Sequence, residues 1–210
     1  MQPPLKKRLL LILAIIVIQS NYAPATHLLQ GGVEPKLPWD IFPLWAVWVV
    51  PYILCYPLWA FGVGWLALKT NESRFRAAAA GLFLACTLGV LTFFLFPTYV
   101  TDPEVTGSDI FSKTLLLVQS VDGDYAAFPS AHIYITVILA LFYRDWYPRY
   151  KWLWLFIVVI VMLSTLFTKQ HYILDVLGGT LTAWLGYRFG LWWNTTNGKF
   201  KQRRIFHVRS

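Results

Sequence analysis

The chain has 210 residues, of which 57% are hydrophobic and 13% charged, and its formal net charge is +8 at pH 7. A soluble domain carries about twice that share of charged residues, so the composition excludes an ordinary soluble protein. The apolar residues also form long uncharged runs, and a helix needs roughly 20 such residues to cross a bilayer. The composition therefore predicts an integral membrane protein made of helices.

Six membrane spans are predicted, in a single all-α domain over residues 1–210. The expected spans are residues 8–28, 43–68, 76–97, 126–146, 152–169 and 171–193. No repeat, low-complexity segment or polar linker divides the chain. Within the domain we distinguish a core that bears the motifs, an outer loop and a basic cytoplasmic tail. These cover residues 76–193, 98–125 and 194–210, respectively.

The first span has an alternative interpretation. Three basic residues at positions 6–8 precede an apolar run, and the Ala-Pro-Ala sequence at residues 23–25 matches a signal-peptide cleavage pattern. A cleaved secretory signal is therefore the alternative to a retained helix. We favour the retained helix because the sequence is apolar again at Leu28 and Leu29.

The distribution of Lys and Arg predicts the orientation. With a cytoplasmic N-terminus and six spans, 15 of the 18 basic residues lie in the cytoplasm, and only Lys36, Lys113 and Lys169 lie outside. Cytoplasmic loops carry the excess of Lys and Arg, so we expect both termini inside. We interpret the basic tail as an anchor for anionic lipid headgroups. Basic residues spread over several loops do not indicate nucleic acid binding.

The outer loop contains an apolar insert at residues 110–121 that is too short to span a membrane. We expect a helix there, either lying in the membrane interface or packed on the bundle. Cys55 and Cys86 both fall within expected spans, so we expect small buried side chains and no disulfide.

A first polar cluster lies in the sequence TKQHYILD, residues 168–175, between the fifth and sixth spans. Lys169, His171 and Asp175 are ionisable, and such groups near a membrane interior need partners or a function. The chain must break here, since one helix over residues 152–193 would be about 63 Å long. If the sixth span is helical from about Gln170, His171 and Asp175 share one face. The carboxylate can then fix the imidazole tautomer.

A second polar cluster begins the fourth span with Pro129, Ser130 and His132. Pro and Ser are ordinary residues at a helix start. However, the 39 residues between His132 and His171 are about what a transmembrane hairpin needs at 1.5 Å rise per residue. Both histidines therefore arrive at the outer boundary, where the helix start near Ala131 offers N–H donors to an anion.

Together the two clusters favour phosphate chemistry, with one histidine as nucleophile and the other as acid and base. A metal site formed by His132, His171 and Asp175 is the main alternative. No paired His-x-x-x-His motif or cysteine ligands support it. We therefore expect neither a metal nor a cofactor.

Both clusters resemble motifs of a known family. Residues 129–132, Pro-Ser-Ala-His, resemble the P-S-G-H motif of the type 2 phosphatidic acid phosphatase (PAP2) superfamily. Ser164 with His171-x-x-x-Asp175 resembles its S-R-x5-H-x3-D motif. The resemblance covers roughly residues 76–193. It implies a six-helix bundle with an extracytoplasmic active site and no metal.

The resemblance also assigns roles to individual residues. It implies that His171 attacks phosphorus to form a phosphohistidine and that Asp175 orients it. His132 would protonate the leaving oxygen and then activate water or an alcohol. The phosphate oxygens would be held by Ser130, the Ala131 N–H and Ser164.

The sequence departs from the family pattern at its cations. The family's first motif, K-x6-R-P, is missing, and Thr165 occupies the position of the arginine in the third motif. We name Lys169 as the replacement, with Lys113 second. The alternative for Lys169 is an interfacial lysine that extends its amino group toward the headgroups.

Further residues resemble one branch of the family. Residues 123–125, Gly-Asp-Tyr, and the pair His171-Tyr172 are similar to sphingomyelin synthases and inositol phosphorylceramide synthases, which transfer a phospho-headgroup to a lipid alcohol. We expect a lipid phosphatase, with such a phosphotransferase as the alternative. A non-catalytic lipid-binding or transport protein is a third interpretation, which the missing arginines favour.

The expected partners are a membrane and a lipid phosphate or phospholipid. We take the membrane to be a bacterial cytoplasmic membrane, and the sequence does not specify the oligomeric state.

Overall fold

The structure is a computed structural model that describes the backbone of residues 5–207 and the side chains of residues 5–196. About 74% of the chain is helical. The described residues contain no β-strand, and they form only the isolated bridges Val33–Thr98 and Tyr99–Tyr125. The all-α prediction is therefore confirmed.

Eight α-helices follow one another along the described residues. Their bounds are α1 Leu5–Gln19, α2 Tyr22–Leu28, α3 Val49–Lys69, α4 Glu72–Leu95, α5 Ile110–Asp122, α6 Ala131–Trp146, α7 Lys151–Phe167 and α8 Ile173–His207. Short 3-10 turns at Ala46–Trp48 and Pro148–Tyr150 lead into α3 and α7.

Four segments of the described chain are long and apolar enough to cross a membrane, as expected of an integral membrane protein. They are Leu5–Leu28, Ala46–Lys69, Glu72–Leu95 and Pro148–Phe167. They correspond to the first, second, third and fifth expected spans. The helices at the other two positions do not qualify: α6 has only 16 residues, and no stretch of 18 described residues in α8 is apolar enough. The count of six spans and the sides of the termini are therefore not confirmed.

Helix α6 lies at the centre of the bundle. Twelve of its 16 residues are buried, and it packs against α3, α4, α7 and α8. Helices α4 and α8 approach closely because small residues face each other. A Cβ atom added to Gly81 would lie 2.7 Å from the carbonyl oxygen of Gly186, so only glycine fits this crossing.

The two helices at the polar clusters differ in how their starts compare with the prediction. Helix α6 begins at Ala131 with Ser130 as its N-cap, as predicted. Residues 126–130 of the expected span lie outside the helix, because Ala126 has a positive φ of 60° and the Phe128 N–H donates to Thr98 Oγ1 at 2.8 Å. Helix α8 begins at Ile173 rather than near Gln170.

The late start of α8 follows from a tight turn after α7. Lys169 has a φ of 60°, and the N–H groups of Gln170 and His171 both donate back to the carbonyl of Thr165, at 3.1 and 3.2 Å. His171 therefore lies on the turn rather than on the helix.

Helix α5 is the insert of the outer loop. It contacts α3 and the 3-10 turn before α3, and its residues Leu115 and Asp122 are buried. Leu117 and Val121 on its other side are 63% exposed. The helix is thus packed on the bundle, and it also presents an apolar face outward.

Cys55 and Cys86 are free and buried, as predicted. Helix α8 continues past residue 193, where the sixth span was expected to end. The side chains of the basic tail from Asn197 onward lie outside the described residues, so its role as a headgroup anchor stays a prediction.

Candidate active site

The two histidines named from the sequence lie together at one end of the bundle. His132 is in the first turn of α6, and His171 is on the turn before α8. Their ring centroids are 6.1 Å apart, and the residues are 3% and 5% exposed. The two rings are therefore close enough for both to act on one bound group.

Asp175 lies beside His171 and is itself fixed by the backbone. His171 Nδ1 lies 3.5 Å from Asp175 Oδ2, although α8 begins two residues after the histidine. The same oxygen accepts the Tyr172 N–H at 2.8 Å. The carbonyl of Asp175 accepts the Ser130 N–H at 3.1 Å, which joins the start of α6 to the first turn of α8. One residue therefore connects the two predicted clusters.

Unsatisfied polar atoms concentrate at this junction. Among the described residues, four of the buried side-chain atoms that lack a hydrogen-bond partner belong to it: Ser130 Oγ, His132 Nε2, His171 Nδ1 and Asp175 Oδ1. An unpaired buried polar group costs about 1–3 kcal/mol, so such groups are rare in folded proteins. Their concentration here is typical of a site that binds a polar group.

The first turn of α6 faces the same junction. Ser130 is its N-cap residue and makes no side-chain capping bond, while the first N–H groups of a helix have no partner within it. The start of α8 differs, because Asp40 Oδ1 accepts the Ile173 N–H at 2.9 Å. The N-terminus of α6 thus keeps its backbone donors for an anion, whereas that of α8 is capped by a carboxylate.

Three aromatic side chains of α3 surround His132, and the sequence analysis did not identify them. The Tyr52 ring stacks on the imidazole with centroids 4.0 Å apart, and Trp59 and Tyr56 lie at 5.3 and 5.6 Å. Their spacing of four and three residues places them on one helix face, which is the signal that would have found them. They hold the imidazole in an apolar wall.

Carboxylates on the His171 side were also missed. Tyr52 donates its hydroxyl proton to Asp122 at 2.7 Å, and Gln170 donates to Asp102 at 3.1 Å. Burial raises the pKa of both carboxyls above the ordinary value. With Asp124 they line a narrow pocket that includes His171. Several aspartates of a long loop offer no sequence pattern that selects these three.

The predicted phosphate ligands are placed unequally. Ser130 and Ala131 lie at the junction, but Ser164 Oγ donates to the Val161 carbonyl at 2.7 Å. Thr165, at the position of the family arginine, donates to the Met162 carbonyl at 2.8 Å. Both hydroxyl protons are therefore used within α7.

Lys169 lies on the turn that carries His171 and is partly exposed. Burial and, second, the nearby charge of Lys36 lower the pKa of its amino group, while Asp40 opposes the shift. No hydrogen bond or ion pair joins it to the histidine pair among the described residues. Lys36 also lies over the Tyr172 ring at 5.9 Å, whereas Lys113 is exposed on α5. The phosphate-binding role of Lys169 stays a prediction.

Comparison with known families identifies the fold to which this site belongs. Residues 42–189 match a family model described as the PAP2 superfamily, and the match includes both polar clusters. The chain belongs to the PAP2 superfamily. Members of this superfamily are generally phosphatases or phosphotransferases. No curated protein matches the chain, and the branch of sphingomyelin synthases is not confirmed.

The family match also corrects the extent of the resemblance. It begins at residue 42 rather than 76, so α3 and the aromatic residues around His132 are part of the shared core. Helices α1 and α2 lie outside the match. Among the described residues, no group of three or more His, Cys, Asp or Glu side chains is arranged to hold a metal ion.

Proposed function

We propose that this PAP2 protein is a membrane enzyme that cleaves a lipid phosphate ester through a phosphohistidine on His171. The observation that carries the proposal is the buried pair of His132 and His171, 6.1 Å apart between ring centroids, with unsatisfied polar atoms around it. His132 of this pair also lines a large apolar cavity. A site that joins buried polar groups to an apolar cavity suits an amphiphilic substrate.

The first chemical step forms a bond from His171 Nε2 to phosphorus and breaks the bond from phosphorus to the lipid oxygen. The Nδ1 atom faces Asp175, so a proton on Nδ1 leaves the Nε2 lone pair free for attack. His132 donates a proton to the leaving oxygen, which departs as the lipid alcohol. The apolar wall around His132 lies on the side where that alcohol leaves.

The second step returns both histidines to their starting state. His132 removes a proton from water, the water oxygen bonds to phosphorus, and the phosphorus–nitrogen bond breaks. Ser130 Oγ and the Ala131 N–H bind phosphate oxygens, and Lys169 supplies the positive charge. Ser164 joins them only after its hydroxyl leaves the Val161 carbonyl.

A phosphotransferase is the second candidate, and the carboxylates near His171 favour it. Asp102, Asp122 and Asp124 lie where a phosphate monoester, with two negative charges, would be repelled. A phosphodiester carries one negative charge and suits this site better. A lipid alcohol then replaces water in the second step.

Catalysis is tested by phosphate release from a panel of lipid phosphates, with the wild type, His171→Ala and His132→Ala assayed in liposomes. Equal release by all three proteins would refute the catalytic assignment and favour lipid binding or transport. The same assay in EDTA tests the metal alternative, because metal-independent chemistry predicts unchanged rates.

Hydrolysis and transfer are separated by supplying a labelled phospholipid together with ceramide or diacylglycerol. Label in a new phospholipid shows transfer, and label in free phosphate or free headgroup shows hydrolysis.

We also propose that the site faces the extracytoplasmic side, because the loops at the opposite end carry the basic residues. A membrane-impermeant maleimide should label Ser108→Cys but not Arg149→Cys in intact cells. Both native cysteines are buried and give little background. The reverse labelling pattern would place the site on the cytoplasmic side.

A further inference from the structure

A cavity of about 780 Å³ extends from His132 between α1, α3 and α4, and it is partly open to the surface, since Leu9 and Ile16 of its lining are half-exposed. Its upper end is bordered by the polar residues Gln19, Ser20 and His132, and its lower end by Leu66 and Phe75. Apolar side chains of α1, α3 and α4 line the length between these ends. Along α3 it runs from Tyr56 to Ala67, which is about 16 Å at 1.5 Å rise per residue.

Helix α1 forms one wall of this cavity, although only one of its residues is buried. Leu9, Ile12, Ile15 and Ile16 line the cavity from α1. The helix packs against α3 and α4 and lies outside the segment that matches the PAP2 family. The wall is therefore a feature of this chain that the shared family core does not supply.

Polar contacts hold α1 at both ends and leave its middle free to line the cavity. At the upper end, Tyr134 donates its hydroxyl proton to Gln19 at 2.6 Å. At the lower end, the buried Arg8 donates to the carbonyls of Ala67 and Thr70 at 3.0 and 2.8 Å. These bonds fix the helix so that an apolar space remains between it and α3.

We propose that this cavity binds an aliphatic chain of the lipid substrate, and that α1 and α3 set the length of chain accepted. The inference rests on the proposed function, because the histidine pair places the phosphate at the cavity's upper end. His132 belongs to the histidine pair and also lines the cavity, so the oxygen that it protonates carries a chain that continues into the cavity. The end near Leu66 and Phe75 limits how far that chain extends.

Gly64 offers a way to shorten the cavity without disturbing the site. It lines the cavity eight residues below Tyr56 on α3, and a Cβ atom added there meets no atom within 4 Å. A larger side chain at this position fills the lower part, about 12 Å from the level of Tyr56. Leu68, one turn further along α3, is 63% exposed and does not line the cavity, so it provides a matched control.

The first test measures kcat/KM for phosphatidic acids with octanoyl or palmitoyl chains, using wild type, Gly64→Phe and Leu68→Phe. A hydrophobic pocket discriminates by about tenfold or more for a poorly fitting chain, so Gly64→Phe should lower the palmitoyl-to-octanoyl ratio by at least about tenfold. Leu68→Phe should leave the ratio unchanged, and Gly64→Ala should fall between. An unchanged ratio in Gly64→Phe would overturn the proposal.

The second test does not depend on turnover. Full-length His171→Ala protein is irradiated with a phosphatidic acid that carries a diazirine in its palmitoyl chain, and the labelled peptides are identified by mass spectrometry. We expect labelling of α1 and α4 around Ile12 and Cys86, which unlabelled phosphatidic acid and Gly64→Phe both reduce.

Labelling that a phosphate-free diazirine lipid reproduces, or that phosphatidic acid does not displace, would show bulk membrane lipid in the cavity and refute the proposal. If wild-type protein releases no phosphate while the labelling is specific, the proposed reaction fails and the chain-binding site stands.

Discussion

Helix α6 carries His132 and helix α1 lines the same cavity, but the bundle holds the two helices in different ways. Twelve of the 16 residues of α6 are buried, whereas Arg8 is the only buried residue among the 15 of α1. Apolar packing along its whole length fixes α6, while α1 is held by polar contacts near its two ends and by partly buried isoleucines between them. Rigidity is therefore greatest where the histidine pair is positioned, and the open space lies beside the helix that packs least.

This difference separates two kinds of substitution. Changes at the junction of α6 and α8 should affect the chemical step and leave the preference for chain length unchanged. Changes on α1 or on the facing side of α3 should affect stability or chain preference and leave the histidine geometry intact.

The largest effect is expected from His171→Ala, which removes the nucleophile. Loss of the nucleophile in enzymes that form a covalent intermediate lowers kcat by roughly a thousandfold or more. The measurement is phosphate release under single-turnover conditions, with His27→Ala as the control histidine outside the pair. Retention of more than a tenth of the activity by His171→Ala would contradict its role.

Asp175→Asn should lower kcat by about a hundredfold or more, because the amide no longer stabilises the imidazolium and can favour the wrong tautomer. The amide oxygen can still accept the Tyr172 N–H, so folding should be preserved. The check is kcat beside a thermal unfolding curve. A loss of activity that follows a loss of folded protein would assign Asp175 a structural role instead.

Lys169→Ala should raise KM for a lipid phosphate by about tenfold, the size expected when one charge-assisted hydrogen bond of roughly 1.5–3 kcal/mol is lost. Lys151→Ala is the control, because Lys151 is exposed at the start of α7, at the opposite end of that helix from Lys169. Lys36 is unsuitable as a control, since its charge acts on Lys169. Equal effects of Lys169→Ala and Lys151→Ala would leave Lys169 as an interfacial lysine.

Lys169 also predicts a pH dependence. Because burial lowers the pKa of its amino group, the protonated form that binds phosphate is lost at a lower pH than for an ordinary lysine. The value of kcat/KM should therefore fall as the pH rises through this lowered pKa. The arginine in Lys169→Arg stays charged, so kcat/KM of this variant should no longer fall at alkaline pH. If the pH dependence of kcat/KM is the same in the variant and the wild type, Lys169 is not the group that causes the fall.

The smallest effect on chemistry is expected from Arg8→Met on α1. The change leaves the carbonyls of Ala67 and Thr70 without their donor, which should lower the melting temperature and speed hydrogen exchange in α1. The octanoyl substrate should still be cleaved within about twofold of the wild-type rate, a difference of only about 0.4 kcal/mol. Lys7→Met is the matched exposed control, and equal effects on both measurements would refute the anchoring role of Arg8.

Much of the fold and of the candidate site was predictable because it depends on composition and on spacing along the chain. Long apolar runs require helices in a membrane. The number of residues between His132 and His171 fits a pair of helices that returns the chain to the same end of the bundle. Asp175 was predictable because its partner is four residues away. The packed α5 was named as one of two alternatives.

The remaining features depend on contacts between residues distant in sequence. Asp40 caps α8 across 133 residues, and Asp122 meets Tyr52 across 70 residues. No local pattern specifies such pairs. The predicted start of α8 was wrong for the same reason, since the chain turns at Lys169 and the distant Asp40 caps the helix at Ile173.

Asp40 has a further consequence for exchanging parts between relatives. The family match begins at residue 42, so Asp40 and Glu34, which accepts the hydroxyl proton of Tyr172, lie outside the shared core. A chimera joined at that family boundary would leave the Ile173 N–H uncapped and Tyr172 without its partner. Transplanting the family core of this chain therefore requires a junction upstream of Val33, so that residues 33–41 accompany the turn that carries His171.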